Sequence, residues 1–224
     1  MNTNFTALLQ SHNIKGSIFD MDGTILDSSA AWKDLSRNML KSMGIMPKDD
    51  LEYNLKSMSS GKIPQYLCET YGLACSPSEV RAIAMRVVED KYRFDLLLKP
   101  HVREFLTALR SNEITSCIAT ANQRSLAFAA MNREAVIDSF KFIITGEDVG
   151  NAGKDDPVIF LQAAKLLGVV PNECIVFEDT WRCIITAKEA GFVVIGVEDP
   201  AAIAYKQDII NASDYYITSF LELL

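Results

Sequence analysis

The sequence predicts an α/β protein: a doubly wound parallel sheet interrupted after its first strand by an all-helical insert. Three observations carry this expectation. Short apolar runs recur along the chain without alternating with polar residues, as strands buried on both faces do. Stretches with helical periodicity and legible ends lie between them. From about 28 to 94 the alternation stops and only helical patterns remain.

The first strand is read at Lys15–Asp20 (KGSIFD). Others follow at 114–120 (ITSCIAT), 140–145 (FKFIIT), 174–178 (CIVFE) and 192–197 (FVVIGV), with a shorter one at 215–218 (YYIT). A helix over about 157–167 begins beside Pro157 and ends at Gly168; a second, about 180–190, stops at Gly191; a third opens at Asp199-Pro200. Proline suits a first helical turn, where its missing N–H has no partner to lose, and glycine accepts the left-handed backbone that closes a helix. Within the insert, Trp32, Leu35, Met39 and Met43 fall on one helical face, and Val80, Ile83, Val87 and Phe94 on another. Both stripes read as the insert's own core. Ser76-Pro77-Ser78-Glu79 reads as a capping box with proline at the first position. Loop signals at Asp27-Ser28-Ser29 and Lys99-Pro100 divide the chain into a core domain (1–27 and 95–224) and a cap (28–94).

Composition limits what such a protein does. Its 224 residues can bury a full core without staples, and 49% hydrophobic with 23% charged residues excludes disorder and fibrous repeats. A net charge of −7 argues against nucleic acid or an anionic membrane as partner. No apolar run reaches the ~20 residues of a spanning helix, and MNTNFTALLQSHN lacks the basic start of a signal peptide. A cytoplasmic protein, monomeric or weakly dimeric, is expected. Five scattered cysteines, no CxxC and two histidines (His12, His101) leave no zinc or disulfide framework, so the thiols are expected reduced and mostly buried.

The chemistry-bearing string is Ile18-Phe-Asp20-Met-Asp22-Gly-Thr-Ile-Leu-Asp27-Ser28. Two aspartates two apart sit where an apolar strand ends, the end at which open α/β sheets place ligands. For both carboxylates to face one site the chain must coil there, and Gly23 makes the turn cheap. Thr120 ends the next strand in Ile118-Ala-Thr-Ala-Asn122, Lys154 follows Gly153, and Glu178-Asp179 ends a later strand. Each has an ordinary reading alone: a surface turn, a helix cap, a solvated lysine, a capping pair. There is no GxGxxG after a strand and no GxxxxGK[ST], which removes dinucleotide and P-loop readings.

Taken together and in this order, these four motifs resemble those of the haloacid dehalogenase-like superfamily. The resemblance covers nearly the whole chain, helical insert included, and implies a Rossmann-like core with a cap. It implies Asp20 as nucleophile, forming an aspartyl-phosphate, and Asp22 as the acid that protonates the leaving oxygen and then the base for water. Mg²⁺ would be held by Asp20, the Asp22 backbone carbonyl, and Glu178-Asp179, with Asp179 the most direct. Thr120 and the Asn122 region would bind phosphoryl oxygens, and Lys154 would neutralise both phosphate and Asp20. Four converging carboxylates and a phosphate dianion are tolerable only with a dication and that lysine.

Asp22 further separates phosphate-ester chemistry from the dehalogenases and phosphonatases of the superfamily, which lack it. The resemblance is closest to the β-phosphoglucomutase-like branch. Its mutases carry a histidine and an arginine in the cap where ungapped counting finds Trp32 and Ser60, so a phosphatase acting on a small phosphate monoester such as a sugar phosphate is favoured. A phosphomutase, or a binding protein on the same fold, remains an alternative. Two departures stand out: Lys154-Asp-Asp-Pro-Val158 replaces the usual K-P-x-P-D, and bulky Trp181 and Arg182 follow the acidic pair where small residues are common. Selection of the leaving group is expected in the cap, with Ser28, Trp32, Ser59, Ser60 and Lys62 as candidates.

Overall fold

The structure is a computed structural model that describes residues 3–55, 62–150 and 153–224. A first helix, α1 (Thr3–Ser11), leads into β1 (Gly16–Phe19). The chain then passes through α2 (Ser29–Lys33), α3 (Leu35–Ser42), α4 (Leu51–Leu55), α5 (Ile63–Tyr71) and α6 (Pro77–Asp90) before returning through α7 (Val102–Ser111) to β2 (Thr115–Thr120). After α8 (Arg124–Arg133) come β3 (Ile143–Thr145), α9 (Val158–Leu167), β4 (Cys174–Glu178), α10 (Trp181–Glu189), β5 (Val193–Val197), α11 (Lys206–Ala212) and β6 (Tyr215–Ile217).

The described strands form one parallel sheet in the order β3-β2-β1-β4-β5-β6. The order reverses at β1, which pairs with β2 on one side (Phe19 opposite Ile118) and with β4 on the other (Phe19 opposite Phe177). Such a reversal opens a crevice beyond the strands' carboxyl ends.

Successive strand residues face opposite sides, so Ile18 and Phe19 anchor two separate cores. Ile18, Cys117, Ala119, Val176 and Val194 pack against Phe160 and Ala163 of α9 and Ile184 and Ala187 of α10. On the other face Phe19 stacks on Phe177 at 4.4 Å and 3°, and Phe105 of α7 and Phe220 close around them. Ser17 and Ser116, buried side by side, satisfy each other at 2.8 Å.

Contacts divide the chain into two compact units, Met1–Ser29 with Leu96–Leu224, and Ala30–Asp95. The helical unit has its own core of Met39, Leu40, Leu51, Leu67 and Val80. The Ser76–Glu79 box is formed as read: Glu79 N–H donates to Ser76 Oγ (3.4 Å) and Ser76 N–H to Glu79 Oε2 (2.8 Å).

Several expectations need correction. The first stripe breaks at Asp34, so Trp32 lies on a different helix from Leu35 and Met39 and is 39% exposed. Its indole N–H donates to Tyr92 Oη at 2.9 Å instead. The second stripe loses phase where Lys91–Asp95 winds as a π-helix: Val88 and Tyr92 are buried and Phe94 is 71% exposed. The segment after Asp199-Pro200 begins as a 3₁₀ turn, Pro200–Tyr205, and becomes α-helical only at Lys206. β3 is shorter than read, beginning at Ile143 and not at Phe140. Cys117 and Cys174 are buried, but Cys68, Cys75 and Cys183 are only half-buried.

Candidate active site

Asp20 directly follows β1, and its N–H donates to Phe177 O at 2.9 Å, carrying the β1–β4 ladder one residue past the strand. The backbone then coils. The N–H groups of Ile25 and Leu26 both donate to Met21 O (3.1 and 2.9 Å), and Gly23 N–H donates to Leu26 O (3.0 Å). That coil brings Asp20 and Asp22, two apart in sequence, to the rim of a single hollow of about 420 Å³, where Thr120, Lys154 and Glu178 also line the wall. Gly23 has φ +80°, and a Cβ there would stand 2.5 Å from Asp179 Oδ2. Conformation and space both demand glycine.

The two aspartates have different partners. Lys154, buried, forms an ion pair with Asp20 and donates to Glu178 Oε2 at 2.9 Å. Burial works against its charge, but Asp20 and Glu178 outweigh that and hold its pKa above the ordinary lysine value. Asp22, half-buried, accepts at Oδ2 from Asn122 Nδ2 (3.0 Å). Thr120 Oγ1 accepts the Asn122 backbone N–H (3.0 Å), which leaves the threonine proton to donate. Asn122 lines the hollow as well: one Nδ2 proton goes to Asp22, and Oδ1 accepts the Gln123 N–H (2.8 Å).

Asp20, Glu178 and Asp179 are buried and offer oxygens within 4.8 Å of one another. Glu178 also accepts the Thr180 N–H (3.1 Å), and Asp179 Oδ1 accepts from Thr24 Oγ1 (3.1 Å). Burial, then the Asp20 charge, push the Glu178 carboxyl up. Burial, then Glu178, Asp20 and Asp199, push Asp179 up. One lysine does not balance this cluster. An all-oxygen donor set with surplus negative charge fits a hard dication. The carboxylate of Asp22 stands outside this group, on Asn122.

Ser28 is buried, and its hydroxyl has no hydrogen-bond partner among the described residues. Lys62 is exposed at the start of α5. Ser59 and Ser60 lie outside the described residues.

Sequence reasoning missed three features. Thr24, fully buried, orients Asp179; its place right after Asp22-Gly23 was the available signal. Cys183 lines the hollow beside the lysine. Asp199, also buried, pairs with Lys99 (3.0 Å) and accepts from Ser29 Oγ, so it ties both chain crossings of the insert to the loop after β5. No local pattern announces contacts between residues this far apart in sequence.

Known proteins resemble this chain in sequence and fold. The sequence pattern of the haloacid dehalogenase-like hydrolase family matches residues 17–197. A phosphorylated carbohydrates phosphatase of Thermotoga maritima is 32% identical over 177 residues, covering 78% of this chain and 80% of that protein. The β-phosphoglucomutase of Bacillus subtilis is 28% identical over 198 residues, covering 82% and 83%. The crystal structure of a Thermotoga maritima protein provisionally described as a β-phosphoglucomutase superposes with a TM-score of 0.79 at 25% identity, over 91% of this chain and 94% of that one. The chain belongs to the haloacid dehalogenase-like hydrolase family, in its β-phosphoglucomutase-like branch.

Proposed function

We propose that the protein is a Mg²⁺-dependent phosphatase that hydrolyses a small phosphate monoester, such as a sugar phosphate, through an aspartyl-phosphate at Asp20. One observation carries this reading: Asp20, at the end of β1, is buried in one all-oxygen group with Glu178 and Asp179 and is ion-paired with the buried Lys154. A cation beside it suits a group that reacts as the carboxylate.

In the first half-reaction an Asp20 oxygen bonds to phosphorus as the ester P–O bond breaks, and Asp22 gives its proton to the departing alcohol oxygen. In the second, Asp22 takes a proton from water as the water oxygen bonds to phosphorus. The acyl-phosphate P–O bond then breaks, freeing inorganic phosphate and restoring Asp20. Thr120 Oγ1 and Lys154 Nζ, which line the same hollow, would donate to phosphoryl oxygens. Mg²⁺ on Asp20, Asp179 and Glu178 would neutralise charge on the transferring group.

The test is inorganic phosphate release from sugar phosphates and nucleoside monophosphates, run with Mg²⁺, with chelator and with Asp20→Asn. Metal-dependent release that vanishes in the variant supports the reading. A rearranged sugar phosphate without free phosphate would make the protein a mutase. A folded protein inert on every ester would make it a binding protein.

A further inference from the structure

Beside the acidic hollow lies a second one of about 290 Å³. Thr180 and Arg182 line both, so the two share a wall, and Asp179 lines the second. Its other side is aromatic. Trp181 and Tyr205 lie 8° from parallel with ring centroids 5.9 Å apart. Parallel rings at that separation are slid past one another, and Trp181 keeps partial exposure beside Tyr205. Tyr205 is 53% exposed.

The platform is held from behind. Trp181 packs against the core cluster of α9 and α10. Tyr205 ends the 3₁₀ turn that Asp199 caps by accepting the Ala201 N–H at 2.9 Å. The exposed Arg182 guanidinium makes no hydrogen bond or ion pair among the described residues, although it borders a group of buried carboxylates. A planar donor without a partner among the described residues thus shares one lining with two aromatic side chains, and the hydrolysis step uses none of the three.

We propose that this second hollow is the leaving-group subsite, and that it selects esters whose alcohol carries a ring. The ring face stacks on Trp181 and Tyr205, and Arg182 donates to its oxygens. The inference rests on the phosphatase reading and adds the substrate class to it. The volume is at the small end for a ligand site and suits one ring, not a polymer. A pyranose C–H face and a nucleobase π-face share this chemistry.

Two measurements test it. The first compares kcat/KM for glucose 6-phosphate, uridine 5′-monophosphate and the open-chain sorbitol 6-phosphate. At least one ring ester should exceed sorbitol 6-phosphate by about tenfold or more, and which one identifies the ring as sugar or base. Trp181→Ala, Tyr205→Ala and Arg182→Gln should each lower the ring-ester value about tenfold more than the sorbitol value. Trp181→Phe, which keeps a ring face, should retain the preference. Equal losses on ring and open-chain esters, or none, overturn the subsite.

The second needs no turnover. In a Trp32→Phe background, where Trp181 is the remaining tryptophan, uridine or glucose should change the indole fluorescence saturably. Sorbitol should not, and Tyr205→Ala should abolish the response. No saturable response to either ring compound overturns the subsite. A response in a protein that releases phosphate from no ester would sustain the subsite while the phosphatase reading fails.

Discussion

Asn122 Nδ2 donates to Asp22 Oδ2 at 3.0 Å, joining residues 100 positions apart at the ends of β2 and β1. The bond holds the Asp22 carboxyl at the wall of the hollow, where a departing alcohol needs a proton. Acid–base groups of this kind contribute about 10²–10⁴-fold, so Asp22→Asn should cost that much on sugar phosphates. Asn122→Ala should cost a smaller factor, about tenfold, because the carboxyl remains but is no longer held. With p-nitrophenyl phosphate, whose leaving group needs little protonation, the first half-reaction should be far less affected in both variants. Equal losses on both leaving groups would remove Asp22 from the acid role.

Lys154 is the buried cation between Asp20 and Glu178. Lys154→Met keeps the bulk and strands two buried carboxylates, a change that costs about 3–5 kcal/mol when a buried pair is broken. Urea denaturation in chelator should show a loss of that order at neutral pH, and a smaller one near pH 5, where a carboxyl can take a proton in place of the lysine. Phosphate release should vanish at every pH. Unchanged stability would mean that the lysine does not neutralise these groups.

Glu178 and Asp179 have carboxyls pushed up by burial and by their neighbours' charge. A carboxyl whose pKa is higher folded than unfolded holds a proton in the native state that the unfolded chain has released. Its contribution is complete below the ordinary carboxylate range, around pH 4, and is lost as pH rises toward the raised value. The metal-free protein should therefore melt at falling temperature as pH climbs from 5 to 9. Mg²⁺ replaces the protons, so its stabilising effect should grow over the same interval. Differential scanning calorimetry with chelator and with Mg²⁺ reads both trends; a pH-independent Mg²⁺ effect would contradict them.

Thr24 holds Asp179 through a buried 3.1 Å bond. Partners of this kind orient a ligand, and losing one typically costs 10–100-fold in metal affinity. Thr24→Val preserves the shape and should raise the Mg²⁺ concentration for half-maximal phosphate release by about that factor, with little change in the saturated rate. Gly23→Ala should do more, since its methyl would meet the Asp179 carboxylate.

Much of the fold was legible because its signals are local. An apolar run such as Cys174–Glu178 is a strand wherever both faces are covered, and the Ser76–Glu79 box closes within four residues. Phase was less legible. The break at Asp34 and the π turn at Lys91–Asp95 moved Trp32 and Phe94 out of the stripes that periodicity assigned them, because a helix keeps its 3.6-residue register only while it stays α-helical.

The sequence by itself determined which residue types stand at strand ends and in what order: two aspartates around Gly23, Thr120, Lys154, and the acidic pair. Those are properties of neighbours along the chain. The tertiary structure decided what each one touches. It committed Asn122 to Asp22, set Lys154 between Asp20 and Glu178, placed Thr24 on Asp179, and laid Trp181 against Tyr205. These pairs are 24 to 155 positions apart, and only the parallel sheet, which gathers the carboxyl ends of β1, β2 and β4 on one edge, brings them within reach.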